Sequence, residues 1–319
     1  MLNLRLYCHV MIIHNGYENL VIVSPVVTLG IFDGVHRGHM VLIDCLINRA
    51  KETGGESVVI TFSPHPRLVI EKDHLNLTFL TTLDEKKDLL DKAGIDHLVI
   101  IDFSSDFSRI PACDFVRDIL AGRIGIKYLI VGYDHHFGRN GEGDFDTIKQ
   151  CSGLHDFKLE KVPGLQSEEG TISSTSIRDA LIKGQLDDAN RLLGYNYSLS
   201  GSVVEGKKLG RSLGFPTANI RTETHKLIPA NGVYAVEVKT VDGSFTGMLS
   251  IGTNPTINRE NGIRSIEVNI LNFDRDIYGN DITVFFRKRL RDEIAFDSLD
   301  QLAIQMTQDK ADTLKLFSE

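Results

Sequence analysis

Cysteine is scarce and scattered in this chain of 319 residues. The four present, Cys8, Cys45, Cys113 and Cys151, form no CxxC pair, which argues against a zinc knuckle or a disulfide scaffold and for a reducing compartment, the cytoplasm. Long apolar runs are missing too, since no stretch approaches the ~18 uninterrupted residues of a membrane helix. The opening MLNLRLYCHVMIIHNG has neither a basic n-region nor a small-residue cleavage site, so export and membrane insertion are not expected. Met11 offers a second plausible start, and residues 1–10 are expected to be an upstream extension. Positive charge is in deficit: 35 Lys and Arg stand against 43 Asp and Glu, a net charge of −8. A broad nucleic-acid-binding surface is therefore disfavoured, and any polyanion must be gripped locally. Small molecules are the expected partners, with no nucleic acid and no membrane.

What is present is an ordinary globular composition, 42% apolar and 24% charged, in a chain long enough for about two domains of ~150 residues. From residue 26 short β-branched runs, VVTLG (26–30), SVVITF (57–62), HLVIID (97–102), KYLIVG (127–132) and FKLEKV (157–162), alternate with segments long enough for crossover helices, 38–52, 82–93 and 112–124. Continuous apolar strands separated by helices predict a parallel sheet covered on both faces, an α/β domain whose ligand lies beyond the carboxyl ends of the strands. Helices are expected over 175–183 and 186–193, ending at Gly194. The pattern then changes to VYAVEVK (233–239), FTGMLSIG (245–252), SIEVNILNF (265–273) and ITVFFRK (282–288), with turn signals at Asp242-Gly243, Asn261-Gly262 and Tyr278-Gly279-Asn280. That reads as an antiparallel β-barrel or sandwich closed by a helix over 298–316. The domains are expected over 11–187 and 196–319.

The first strand is followed by GIFDGVHRGH. Gly34 and Gly38 let backbone approach a ligand, and a helix starting near Gly38 aims its first N–H groups at it. Phosphate is the natural occupant. His36 and His39, three apart at a helix start, share a face and can donate to triphosphate oxygens, stabilising charge at an α-phosphorus under in-line attack. A metal pair or a packed structural turn are the competing readings; the metal reading lacks a third ligand at zinc-like spacing. Further on, Ser173, Ser174 and Thr175 can cap a helix with Arg178 one turn in, either as plain capping or as a second phosphate cradle.

The later region opens with SGSVVEGKKLGRSLGFPTANI. Gly206, Gly210 and Gly214, interleaved with Lys207, Lys208 and Arg211, make a cationic loop suited to phosphates, although a solvated hairpin loop has the same composition. The GxxxxGK[ST] order of a Walker A loop is absent. Thr217 and Asn219 supply hard oxygen ligands two residues apart, on one face if extended, which suits magnesium with ATP.

Four motifs carry a family resemblance. GIFDGVHRGH, TFSPHPR (61–67), VGYDHHFGRNGEGD (131–144) and ISSTSIRDAL (172–181) resemble, in order, the HxGH nucleotidylyltransferase signature and its companions in the flavin adenylyltransferase part of the bacterial bifunctional riboflavin kinase/FAD synthetases. The block from Gly206 through Asn219, and FDRDIYG (273–279), resemble the riboflavin kinase part. The resemblance implies a Rossmann-like nucleotidylyltransferase domain, then a kinase barrel, with ATP and Mg2+ used to turn riboflavin into FMN and FMN into FAD. It implies that His36, His39, Ser174, Thr175 and Arg178 act in adenylyl transfer, with Gly30, Phe32, Asp33, Gly34, Gly38, His65 and Asp134 around the nucleotide. His136 and Gly141 stand where the family has Arg. In the kinase half it implies Gly206, Lys208, Gly210, Arg211, Gly214 and Pro216 around ATP, Thr217 and Asn219 on the metal, and Glu267 as general base, with Asn269 where a His is frequent. Arg291 is expected on the flavin side, although a helix-start salt bridge fits LRDE equally well. The rivals are a related transferase making another dinucleotide or CDP-linked product, which the kinase-like half disfavours, and a flavin-sensing regulator, which would lack the catalytic residues seen here.

Overall fold

The computed structural model describes residues 10–73, 76–133, 136–152, 156–167, 170–206, 210, 214–253 and 264–318. It divides into two compact units, Met1–Ser174 and Thr175–Glu319. In the first, six parallel strands, β1 (Ile12–Asn15), β2 (Val26–Leu29), β3 (Ser57–Ser63), β4 (His97–Asp102), β5 (Tyr128–Gly132) and β6 (Lys158–Val162), lie in the order β1-β4-β3-β2-β5-β6. The two-residue period of a strand sorts the side chains onto two cores. Val27, Leu29, Val58, Ile60, Val99 and Ile101 face one; Val26, Val59, Leu98 and Ile100 face the other. Burial on both faces is why these strands read as unbroken apolar runs. β3 and β5 flank β2 on opposite sides, so the connection order reverses at β2, where an open sheet leaves a ligand crevice.

α1 (Arg37–Thr53) and α3 (Leu83–Ala93) fall close to their expected spans, and a short α2 (Pro66–Ile70), which was not foreseen, lies between them. Thr82 and Glu85 form a reciprocal capping box at the start of α3, satisfying two otherwise unpaired N–H groups. The segment expected to be one helix over 112–124 begins as α4 (Ala112–Asp114) and continues as a wider π-helix over Phe115–Ile124. α5 (Phe145–Ser152) follows. The structure corrects the cysteine reading at one pair: Cys113 of α4 and Cys151 of α5 are joined, with Cα atoms 5.5 Å apart. A separation of 38 residues gave no cue to that proximity. β1 was also not foreseen; Met11, just before it, is buried in the core.

In the second unit α6 (Ser174–Ile182) and α7 (Leu186–Leu193) lead into a closed barrel. Asn190 ties α7 to it, donating to the Phe286 carbonyl at 3.0 Å and accepting from the Tyr197 N–H at 2.8 Å. After the two-stranded pair β7 (Gln166–Ser167) and β8 (Gly170–Thr171) of the first unit, the barrel strands are β9 (Ser198–Val204), β10 (Ala218–Arg221), β11 (Gly232–Thr240), β12 (Gly243–Thr253), β13 (Arg264–Ile270) and β14 (Asp281–Arg291). They close in the order β10-β13-β12-β11-β14-β9, so the barrel reading holds and the sandwich does not. Closure leaves no sheet edge to protect. Tyr234, Val236, Leu249, Val268, Val284 and Phe286 fill the interior. The Asp242-Gly243 and Tyr278-Gly279-Asn280 turns form as expected, while Asn261-Gly262 lies outside the described residues. The C-terminal helix spans Leu299–Ser318.

Candidate active sites

The turn after β2 is held in an unusual backbone conformation. Phe32 and Val35 have φ of 51° and 35°, and Gly34 has 83°. For residues with a Cβ this region costs of order 1–3 kcal/mol and persists only where the surroundings fix it. Here Asp33, 4% exposed, does the fixing. Its Oδ1 accepts the Leu80 N–H at 2.8 Å and the Thr81 N–H at 3.1 Å. Thr81 Oγ1 in turn accepts the Gly34 N–H at 3.1 Å, and Ser174 Oγ donates to the Asp33 carbonyl at 2.9 Å. Asp33 thus braces the turn from below.

α1 begins where the turn ends, and its cap is a histidine. His36 Nδ1 accepts the His39 N–H at 3.3 Å, so that nitrogen carries no proton and the donor of the ring is Nε2–H. The two imidazoles stack, centroids 3.7 Å apart and planes 16° from parallel, and the Phe32 ring meets His39 edge-on at 5.1 Å. Burial, then the neighbouring His36, then Lys86 hold His39 well below the ordinary imidazole pKa, so it is neutral at pH 7. His39 Nδ1 is buried with no hydrogen-bond partner. The site therefore offers neutral donors beside the Arg37 and Gly38 N–H groups of the first helical turn, which lack intrahelical acceptors. A Cβ on Gly38 would come to 3.1 Å from the His36 ring.

His65 lies past β3, at the same end of the sheet. It caps α2, its Nδ1 accepting the Arg67 N–H at 3.1 Å, and stacks on Phe79 at 4.0 Å. On α6, Arg178 donates to Thr175 Oγ1 at 3.2 Å. Gly30 lies between β2 and the turn. Asp134 lies outside the described residues, as do Lys208 and Arg211.

In the barrel the strand register makes the site. Asn219 of β10 stands opposite Glu267 of β13. Thr217, just before β10, donates from Oγ1 to Glu267 Oε2 at 3.2 Å. Thr217, Asn219 and Glu267 are thus brought together, although 50 residues separate the first from the last. A Cβ on Gly206 would collide with the Asn219 amide, so glycine is what allows this loop to lie on that side chain. A Cβ on Gly210 would meet the Phe215 carbonyl; Gly214 takes a φ of 80° in the following turn. Pro216 is held by a residue whose role the sequence does not reveal: buried Asn269 donates from Nδ2 to its carbonyl at 2.7 Å. A cavity of about 430 Å³ adjoins, lined by Glu205 and Thr217 and by the apolar Val268, Ile270, Phe273 and Ile277. The FDRDIYG segment forms one wall of it.

Arg291, expected on the flavin side or in a salt bridge, makes a salt bridge. Its Nε and Nη2 donate to the Asp309 carboxylate at 2.8–3.1 Å and its Nη1 to the Asp292 carbonyl at 3.0 Å. With Asp309 5% exposed, this bidentate pair anchors the C-terminal helix to β14. The fork is spent on structure. Lys86 is the clearest residue that sequence reasoning missed: it reads as part of a solvated helix face but is buried. The available signal was its position four before the buried Leu90 on the same face of α3.

Two family models match the chain in turn, the first ending close to the boundary between the two units and the second beginning at the last residue of α7. A family model described as FAD synthetase matches residues 22–176, and one described as riboflavin kinase matches residues 193–317. A bifunctional riboflavin kinase/FMN adenylyltransferase from Listeria monocytogenes is 37% identical over 93% of this chain and 94% of its own. The protein of that name from Escherichia coli K12 is 36% identical over 92% of each chain. A solved structure from Streptococcus pneumoniae, named a macrolide-efflux protein, is 32% identical, covers 95% of this chain and 98% of its own, and superposes with a TM-score of 0.85. Among the described residues here, no helix is long and apolar enough to cross a membrane.

Proposed function

The chain belongs to the bifunctional riboflavin kinase/FMN adenylyltransferase family, and from that premise we propose how its residues divide two reactions. The enzyme phosphorylates riboflavin to FMN with ATP and adenylylates FMN to FAD with release of pyrophosphate. The observation that supports the division of labour is that the first matched segment holds a histidine pair at a helix start and the second a Thr-Asn-Glu cluster across barrel strands, two chemically unlike sites. We assign adenylyl transfer to residues 11–187 and the kinase reaction to residues 196–319, working in the cytoplasm.

In adenylyl transfer an FMN phosphate oxygen attacks the α-phosphorus of ATP and pyrophosphate leaves. The nucleophile is already an anion, so no base is needed; what the reaction needs is stabilisation of charge on the transferring group. His36 and His39 donate to it as neutral imidazoles, supported by the N-terminal N–H groups of α1. Gly30, Phe32, Gly34, Gly38 and His65 surround the nucleotide, with Asp33 bracing the turn. Asp134 completes that set by the family pattern. By the family pattern, Ser174, Thr175 and Arg178 hold the departing pyrophosphate.

The kinase reaction starts from a neutral hydroxyl and does need a base. Glu267 accepts the riboflavin 5′-hydroxyl proton as the oxygen attacks the γ-phosphorus. Thr217 and Asn219 offer hard oxygens beside that carboxylate, a donor set that fits Mg2+, and they would hold it. When bound, the ion neutralises charge on the ATP phosphates. By the family pattern, Gly206, Lys208, Gly210, Arg211, Gly214 and Pro216 cover the phosphates, and the cavity beside Thr217 takes the nucleoside. Incubation with riboflavin and ATP labelled distinguishably at the α- and γ-phosphorus tests the scheme: γ label should enter FMN and α label should enter FAD. Failure of one transfer in a chain that performs the other would overturn the assignment of that half.

A further inference from the structure

Lys86 is 6% exposed, an unusual place for a lysine that makes no ion pair among the described residues. Its ammonium makes one hydrogen bond, to Thr61 Oγ1 at 3.5 Å. Thr61, itself fully buried on β3, passes the contact on, donating to the Ile31 carbonyl at 3.3 Å. That carbonyl belongs to the turn that carries His36 and His39. Asp33 lies within electrostatic reach of the ammonium, but its Oδ1 already accepts from Leu80 and Thr81. The His39 ring is within reach of the same ammonium, which acts on it as a like charge. A methionine or leucine would pack this position without the several kcal/mol of desolvation that a buried charge costs. Packing alone therefore does not account for a lysine here.

We propose that Lys86 is a positioning residue of the adenylyl-transfer site, a buried ammonium that braces the underside of the Gly30–His39 turn through Thr61. Its charge adds to the burial and the neighbouring His36 that keep His39 an uncharged donor. This rests on the reading of His36 and His39 as the adenylyl-transfer pair. Among the described residues, these groups act on Lys86 and His39. The turn contributes Asp33 and His36, α3 contributes Lys86 itself, and β3 contributes Thr61, which does not titrate. Burial lowers the Lys86 pKa to about 8, with Asp33 pulling the other way. The brace is accordingly charged at pH 7 and loses its proton as the pH rises through about 8.

The test uses the full chain and its two activities, with riboflavin kinase turnover as an internal control of folding and concentration. Lys86→Met should lower FMN adenylylation about 10-fold or more, by analogy with the loss of preorganised electrostatics, and leave the kinase rate unchanged. Its acid limb should move upward, because His39 is released from the repulsion. Lys86→Arg should retain activity and lose the alkaline limb near pH 8, since a guanidinium stays charged. A Lys86→Met variant with the wild-type rate and both limbs in place overturns the proposal. So does a fall in rate with neither limb moved, which is what a merely structural lysine would give. If Lys86→Met does not fold, two measurements remain: the Lys86→Arg profile, and the NMR titration of the His39 ring in the wild-type enzyme. A His39 that titrates near the ordinary value of ~6.5, or an alkaline limb unmoved by arginine, sinks the idea. His39→Ala separates the two levels. If adenylylation survives that change the site reading itself fails, whereas an inactive His39→Ala beside an indifferent Lys86→Met refutes only the role given to lysine.

Discussion

The two candidate sites of this chain are built on opposite principles. The α/β site is local, since ten consecutive residues hold the turn, the helix start and both histidines, and its difficulty is conformational: Phe32 and Val35 take positive φ. The barrel site is assembled at long range from strands with ordinary geometry, where register sets Glu267 opposite Asn219. The difference follows the chemistry. A reaction with an anionic nucleophile needs donors fixed around a phosphorus, which a strained loop on a helix N-terminus supplies. A reaction that deprotonates a hydroxyl needs one carboxylate at one point, which a strand supplies.

That contrast can be broken by experiment. Glu267→Gln should have the largest effect, a loss of about 10²–10⁴ in riboflavin phosphorylation, the usual worth of a general base, with adenylylation of supplied FMN intact. Robust FMN synthesis by this variant would remove Glu267 as base. His39→Ala should do the reverse, costing adenylylation about 3–4 kcal/mol, the price of one preorganised donor, and sparing the kinase; steady-state assays of both activities on one preparation check it. Asp309→Ala tests the structural reading of Arg291. It should destabilise the barrel half by about 1–3 kcal/mol, since it leaves a half-buried guanidinium without its carboxylate, and a thermal melt unchanged from wild type would return Arg291 to the flavin side.

The smallest effect concerns pH. His14 Nε2 lies 3.0 Å from His97 Nδ1, and His97 Nε2 lies 3.3 Å from Glu56. Burial first and His97 second lower the His14 pKa. Because the folded pKa lies below the unfolded value, the unfolded chain takes up the proton more readily, so stability is full above about pH 6.5 and declines as the pH falls below it. His39, lowered in the same direction, adds to the trend. The α/β half should therefore lose melting temperature between pH 7 and 5.5 more steeply than the barrel half, and parallel declines would show that these imidazoles are not responsible.

Much of this was legible in the sequence because it is periodic or local. The unbroken runs at Val26 and Ser57 marked strands buried on both faces, and GIFDGVHRGH named its site within one turn of chain. PTAN and Glu267 were legible as motifs, but their juxtaposition depends on closure of the barrel, which no local pattern states. The residues missed share one property, that their partners are distant in sequence. Lys86 answers to Thr61 and the turn, Asn269 to Pro216, Arg291 to Asp309, and Cys113 to Cys151. A charged residue on a helix or strand reads as solvent-facing until the element packed over it is known.

The pairing of Asn219 with Glu267 carries a consequence for how the two halves can diverge. Inserting or deleting a single residue within β10 would turn every side chain beyond it to the other face of the barrel, separating the Asn219 amide from the Glu267 carboxylate with no change in composition. Length variation in descendants of this chain should therefore collect in the hairpin connections and spare the stretch from Thr217 to Arg221.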